Sequence, residues 1–226
     1  MTTATALAAL DDFEFIVDGR ANYPDIIFNG IIDNTITVPF GFPRGGISIG
    51  SDNTLVLIDD AVTGSITSNG DGFVAMVISP FGSVEKSDPD SSIALTGTNT
   101  HLILNAGLID MDVVFGQGQD IMYNFGLVSG DIRMGGGDDF FINDTFAPLG
   151  LTGIVLGDLR MGSGDDTVLN GSVLGNVFLG SGNDFYAAIT PQSLLDNFDN
   201  PLVFAGDIRA GTGNDTVFGG ANDDRI

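Results

Sequence analysis

One short loop recurs along the second half of this chain, and its spacing narrows the folds open to it. The copies read Gly116-Gln-Gly118-Gln-Asp120, Gly135-Gly-Gly137-Asp-Asp139, Gly162-Ser-Gly164-Asp-Asp166, Gly180-Ser-Gly182-Asn-Asp184 and Gly211-Thr-Gly213-Asn-Asp215. A sixth, Gly220-Ala-Asn222-Asp-Asp224, has Asn222 in place of the second glycine. Two residues after most of these aspartates stands an apolar side chain: Met122, Phe141, Val168, Val217 and Ile226. Successive motif aspartates are separated by 19, 27, 18, 31 and 9 residues. Two values describe a coil of 18–19 residues, 27 and 31 a coil with an insertion, and 9 a single tandem nonapeptide.

The periodicity extends beyond the glycine loop. Asn105 to Gly116 aligns without gaps on Asn124 to Gly135, and a second corner recurs at Gly130-Asp131, Gly157-Asp158, Gly175-Asn176 and Gly206-Asp207. A third lies at Asn124, Asn143 and Asn170-Gly171. Three corners joined by strands of three or four residues predict a three-sided stack of coils.

The residue types fit a cation. Calcium takes about six to eight oxygens, from carboxylates and backbone carbonyls. A loop aiming several carbonyls at one point must bend sharply, which glycine does cheaply. Aspartate adds charge on a short stem, and the apolar residue two positions on turns inward to begin a strand. One loop supplies part of a shell, so a site needs two loops stacked on neighbouring coils. The repeat resembles the nonapeptide of RTX (hemolysin-type) calcium-binding proteins. That resemblance implies an all-β, right-handed parallel β-solenoid with calcium loops stacked along one corner. It also implies type I secretion, calcium-triggered folding outside the cell, and Ca2+ held by the glycines and aspartates named above, together with Asn222 and Asp224.

Composition agrees. The net charge is -23, and of 30 acidic residues only Glu14 and Glu85 are glutamate. A bias to aspartate suits loop and ligand use, although a halophile's acidic coat is the plain alternative. With seven basic residues the chain offers phosphates no patch, so nucleic acid is not an expected partner. Cysteine is absent and histidine occurs once, which leaves no thiolate zinc site. No apolar run is long enough for a membrane span. Met1 to Leu10 lacks the basic start of a secretory signal.

In chain order, residues 1–25 read as an N-terminal cap or assembly segment with one strand over Asp12–Asp18. Residues 26–107 read as solenoid coils without metal, and 108–226 as the calcium-binding solenoid. Asn29-Gly30 is read as a corner in preference to a hairpin turn. Pro39, Pro43 and Gly45-Gly46 predict a loop at the solenoid's edge, and Pro80 to Pro89 an excursion. Gly50-Ser-Asp52-Asn-Thr54 and Gly97-Thr-Asn99-Thr-His101 are degenerate copies of the loop, with Thr54 and His101 in the aspartate position. His101 is then a filler of that slot, a metal ligand being the sharper alternative. Arg133, Arg160 and Arg209 share one register with Val114 and Phe178. Asp131, Asp158 and Asp207 lie two residues before the arginines, which predicts a salt-bridge ladder ahead of a docking surface for an acidic neighbour.

Gly46-Ile-Ser48-Ile-Gly50 matches a nucleophile elbow in letters, but it sits in alternating β sequence with no helix to follow. No H-E-x-x-H occurs, and regular outward threonines of the kind that bind ice are missing. The reading is therefore of a protein that is not an enzyme. It is expected to be extracellular or at the cell surface, with other copies of itself as partners in a head-to-tail polymer. Cell-surface polysaccharide or neighbouring surface proteins are further partners, and a module of a larger secreted adhesin or hydrolase is the alternative. The last repeat, written only in part before Ile226, is what favours polymerisation.

Overall fold

A computed structural model describes residues 13–17, 24–28, 34–68, 70, 72–146, 150–188 and 206–219. Within them the chain is all-β, with parallel strands in curled sheets. Nine strands form the first sheet: β3 (Asn34–Val38), β5 (Thr54–Ile58), β7 (Val74–Ile78), β10 (His101–Asn105), β13 (Ile121–Asn124), β16 (Phe140–Asn143), β21 (Thr167–Asn170), β23 (Phe185–Ala188) and β25 (Thr216–Phe218). Each pairs in parallel with its counterpart one repeat away. Leu102, Ile121, Phe140, Thr167 and Phe185 therefore stand side by side.

The remaining parallel strands make two further positions in each repeat. β4 (Arg44–Ile49) pairs with β6 (Ala61–Ser68), which is long enough to serve both positions. Gly64, at a φ of 109°, bends β6 in its middle. The half before the bend pairs with β8 (Ser83–Glu85), and β11 (Leu108–Asp110), β14 (Leu127–Val128) and β19 (Ile154–Val155) follow. The half after it pairs with β9 (Ser92–Leu95) and leads to β12 (Asp112–Phe115), β15 (Ile132–Gly136), β20 (Leu159–Ser163), β22 (Val177–Ser181) and β24 (Ile208–Thr212). The repeats that begin at β7, β10, β13 and β16 thus carry three parallel strands each, whereas the repeat that begins at β21 has an isolated bridge at Val173 in the second position.

Alternation along each strand sorts the side chains. Val56, Met76, Ile103, Met122, Phe141, Val168 and Tyr186 point inward and meet Ile93, Val113, Ile132, Leu159 and Val177 from the opposite wall, all buried in one core. Most outward positions of the nine-stranded sheet are also apolar, Thr35, Thr37, Thr167 and Thr216 being exceptions. One outward column holds Leu55, Ala75, Leu102, Ile121 and Phe140, the other Leu57, Val77, Leu104, Tyr123 and Ile142. Ala75, Leu102 and Ile121 form a second buried cluster, with Phe73, Tyr123 and Phe140 packed against it.

Several expectations change. β1 (Phe13–Val17) pairs antiparallel with β2 (Pro24–Phe28), a departure from the parallel stack. Asn29-Gly30 lies outside the described residues. Gly45 and Gly46 belong to β4, where the register shifts between Gly45 and Ile47, because Gly46 packs against the Ser65 backbone. Ser83–Glu85 is in the sheet, so the excursion predicted from Pro80 to Pro89 narrows to residues 86–91.

The 27-residue repeat carries its insertion as an antiparallel pair, β17 (Thr145–Phe146) with β18 (Leu151–Thr152). These eight residues are the whole excess over the preceding 19-residue repeat, and the Gly153 amide donates to the Asp144 carbonyl at 2.7 Å. Removing Thr145–Thr152 makes Asp144 and Gly153 neighbours, as Phe125 and Gly126 are one repeat earlier. The shortened chain should keep its circular dichroism spectrum and shift its urea stability by no more than about 1 kcal/mol, since loop length enters free energy only logarithmically.

Candidate metal site

Stacking brings the glycine-rich loops into register. Gly135 pairs with Gly162, Gly162 with Gly180 and Gly180 with Gly211. The approach is close: a methyl group added at Gly162 would sit 1.9 Å from the Gly135 carbonyl oxygen. Four loops share one conformation. Their first glycines, Gly135, Gly162, Gly180 and Gly211, have φ of 97–116°, and their second, Gly137, Gly164, Gly182 and Gly213, 113–141°. Among the described residues Gly116 and Gly118 do not share it. Their loop lies on Gly97 and Asn99.

The motif aspartates turn inward. Asp120, Asp139, Asp166 and Asp184 are each at most 2% exposed. In each, Oδ1 accepts the backbone amide of the equivalent residue one repeat earlier. His101 N donates to Asp120 at 2.7 Å, Asp120 N to Asp139 at 2.7 Å, Asp139 N to Asp166 at 2.9 Å and Asp166 N to Asp184 at 3.0 Å. Asp184 N donates to Asp215 at 3.0 Å. Oδ2 of Asp120, Asp139, Asp166 and Asp184 is buried with no hydrogen-bond partner. An unpaired buried polar atom costs about 1–3 kcal/mol, and more for a charged group, so four in one column form a marked electrostatic load.

Burial dominates their protonation. It raises the Asp139 carboxyl to about 9, opposed by the hydrogen bond from Asp120 N and reinforced by the charges of Asp166, Asp120 and Asp138. It raises Asp120 and Asp166 to about 7 each, and Asp184 in the same direction. Each of these carboxyls therefore favours neutralisation, by a proton or by a cation. Among the described residues no three acidic or histidine side chains converge on one point. The column offers one carboxylate per repeat, and further oxygens would have to come from the loop backbone.

His101 occupies the aspartate slot, its Nε2 buried with no hydrogen-bond partner. Its Nδ1 accepts the Val74 amide at 3.2 Å, the bond that an aspartate Oδ1 makes elsewhere, and burial lowers it to about 4. Nδ1 thus carries no proton. Thr54 fills the same column two repeats earlier, its hydroxyl donating to the Asp52 carbonyl at 2.9 Å. Between them Gly70, Gly72 and Val74 form a further degenerate copy that sequence reading missed. Paired glycines were the available signal, obscured by valine in the aspartate position. Asn222 and Asp224 lie outside the described residues.

A second acidic column also escaped notice. Oδ1 of Asp138 accepts the Asp165 amide at 2.9 Å, Asp165 the Asn183 amide at 2.7 Å, and Asn183 the Asn214 amide at 3.1 Å. Here the later repeat donates to the earlier, opposite to the buried column, and the recurring Asp or Asn before the motif aspartates from Asp139 to Asp215 was its signal. The arginine register forms the expected ladder. Arg133 bridges Asp112 and Asp131 at 2.9 and 3.2 Å, Arg160 bridges Asp131 and Asp158 at 2.9 and 2.7 Å, and Arg209 meets Asp207 at 3.6 Å. Burial raises the Asp131 carboxyl, but the Asp158 amide and the two guanidiniums outweigh it and leave it below its usual value. Phe178 lies between Arg160 and Arg209, with guanidinium carbons 5.0 and 5.2 Å from its ring centre. Ser48 lies on β4, in the other sheet from His101.

No family model, curated protein or solved structure matches this chain.

The raised carboxyls set a pH dependence with a definite sign. In the metal-free chain a folded aspartate at 7–9 against 3.8 unfolded keeps its proton better when folded, so stability falls as pH rises through that window. His101 acts in the opposite direction, but only between its unfolded 6.5 and folded 4. With chelator present, the urea midpoint should therefore drop from pH 6.5 to 9, by at most about 1.4 kcal/mol per pH unit for each aspartate still titrating. Asp139→Asn should flatten the slope most above pH 7.

Proposed function

We propose that this chain is a calcium-binding structural protein of the RTX type, a right-handed parallel β-solenoid that is secreted and ordered by Ca2+ outside the cell. One observation carries the reading: a column of buried aspartates, each with one oxygen on a backbone amide and the other unpaired, beside loops of glycines at positive φ. Short acidic side chains, close backbone carbonyls and missing positive charge are the donor set of a hard cation. Asp139, Asp166, Asp184 and Asp215 would hold it, with the loops at Gly135–Gly137, Gly162–Gly164, Gly180–Gly182 and Gly211–Gly213. Asp120 would close the column beside Gly116 and Gly118.

What the ion supplies is charge. Ionised carboxylates one strand spacing apart, about 4.8 Å, repel by roughly 3 kcal/mol per pair at an effective dielectric constant of 20. Binding restricted to the folded state is then stabilisation by mass action.

In this reading the molecule polymerises head to tail into a surface filament or layer. Support comes from the nine-stranded sheet, in which each described strand pairs in parallel with its counterpart in the next repeat. A folded calcium-bound monomer would favour instead a module of a larger secreted adhesin or hydrolase.

Circular dichroism and negative-stain microscopy in about 5 mM calcium, above the range of typical extracellular sites, and again in excess chelator test both steps. Expected are β structure and ordered polymers in calcium and loss of both in chelator. The Asp139→Asn/Asp166→Asn double variant should bind fewer ions by equilibrium dialysis. β structure indifferent to chelator would overturn the calcium reading, whereas monomers alone in calcium would overturn polymerisation.

A further inference from the structure

The excursion between β8 and β9 belongs to none of this. Residues 86–91 make that corner, where Met111 alone joins β11 to β12 and residues 129–131 join β14 to β15. The extra chain is an arch bonded to itself. Ser91 Oγ accepts the Ser87 and Asp88 amides at 3.2 Å each and donates to Asp88 Oδ1 at 3.2 Å. The Asp90 amide donates to the same carboxylate oxygen at 3.0 Å. Between the arch and the next two repeats lies a groove of about 370 Å³, with Met111 and Val114 on its apolar side. That volume falls within the roughly 300–1,000 Å³ of small-molecule sites, and insertions in repeat proteins often mark the face that binds.

We infer that this groove binds a neutral sugar. Charge selects the class. Lys86 and Arg133 line the groove together with Asp90 and Asp112, so its formal charges cancel in a chain of net charge -23. An anion would meet two carboxylates there and a cation two basic groups, whereas a neutral polyol is repelled by neither. A sugar hydroxyl both donates and accepts, and the lining supplies partners of both kinds. Arg133 gives one nitrogen to Asp112 at 2.9 Å and another to Asp131 at 3.2 Å, which fixes its fork and leaves further N–H groups to donate. Lys86 leans toward Asp110 at 3.7 Å. The Asp90 carboxylate has no partner among the described residues and is an uncommitted acceptor. Ser92 and Ser129 add hydroxyls, and Met111 and Val114 offer the ring's C–H face an apolar surface. Arch and ladder are bonded before a ligand arrives, which lowers the cost of ordering the site on binding. The groove uses none of the buried aspartates, so its occupancy is separate from that of calcium.

Saturation-transfer NMR of the full chain in about 5 mM calcium tests it, since the method reads monomers and polymers alike. The neutral probes are glucose, galactose, mannose and N-acetylglucosamine, with the polymers dextran, galactan and mannan; galacturonate and glucosamine are the charged ones. At least one neutral sugar should take up saturation, and the charged pair should bind more weakly. A polymer bound more tightly per ring than its monomer assigns the groove to a surface glycan, and one bound equally or less tightly to a free sugar. Val114→Phe copies what Phe178 places in the same register, and it should fill the groove and abolish transfer with an unchanged circular dichroism spectrum. Asp90→Ala, exposed on the arch, should weaken the neutral sugar about tenfold, the loss of one charge-assisted hydrogen bond, and improve galacturonate. Should Val114→Phe fail to fold, Asp90→Ala decides alone. Transfer to none of the neutral probes would overturn the proposal. So would transfer that persists in a folded Val114→Phe, a charged sugar preferred by the wild type, or an Asp90→Ala that leaves the choice of sugar unchanged.

Discussion

In a parallel stack held in register, the nearest lateral neighbour of every side chain is its own counterpart one strand away. Apolar columns gain from this at once. A polar column survives only if its residue can bond to a copy of itself or to what lies between. Asparagine can, since its amide both donates and accepts, and Asn105, Asn124, Asn143 and Asn170 form a buried chain with Nδ2 to Oδ1 distances of 2.8, 2.8 and 3.1 Å. The chain ends on the Tyr186 hydroxyl. Arginine only donates, so its column is interleaved with Asp112, Asp131 and Asp158 and broken by the ring of Phe178. Ionised aspartate only accepts. It takes the amide of the adjacent repeat and is left with one empty oxygen and a like charge on either side.

That same rule explains how much could be read beforehand. Register forces periodic identity, so the glycine loops, the asparagine corner and the arginine ladder were all legible as recurrences of letters. Recurrence fails where one slot is filled by different chemistry, as when Val74 replaces the aspartate and hides the loop at Gly70 and Gly72. It fails again where identical letters take different conformations: Gly116 and Gly118 repeat the motif without the positive φ of the four later loops. It is silent on pairing outside the repeat, hence the antiparallel β1 and β2. Hydrogen-bond direction was beyond it too. Asp138 and Asp139 are adjacent in the chain, yet strand alternation sends one outward to the following repeat and the other inward to the preceding one.

The buried column also has a polarity along the stack. Toward the start it passes through Thr54, Val74 and His101, which fill the slot without formal charge. From Asp120 onward every described occupant is an aspartate, and the positive-φ glycine pairs begin only with the next loop, at Gly135. Where stability is a sum of each repeat and its contact with the next, the electrostatic load is confined to the repeats that carry it. The earlier repeats hold an apolar core of Val56, Met76, Ile103, Ile66 and Ile93. Asp120 is the first occupant of the column whose buried carboxyl carries that load.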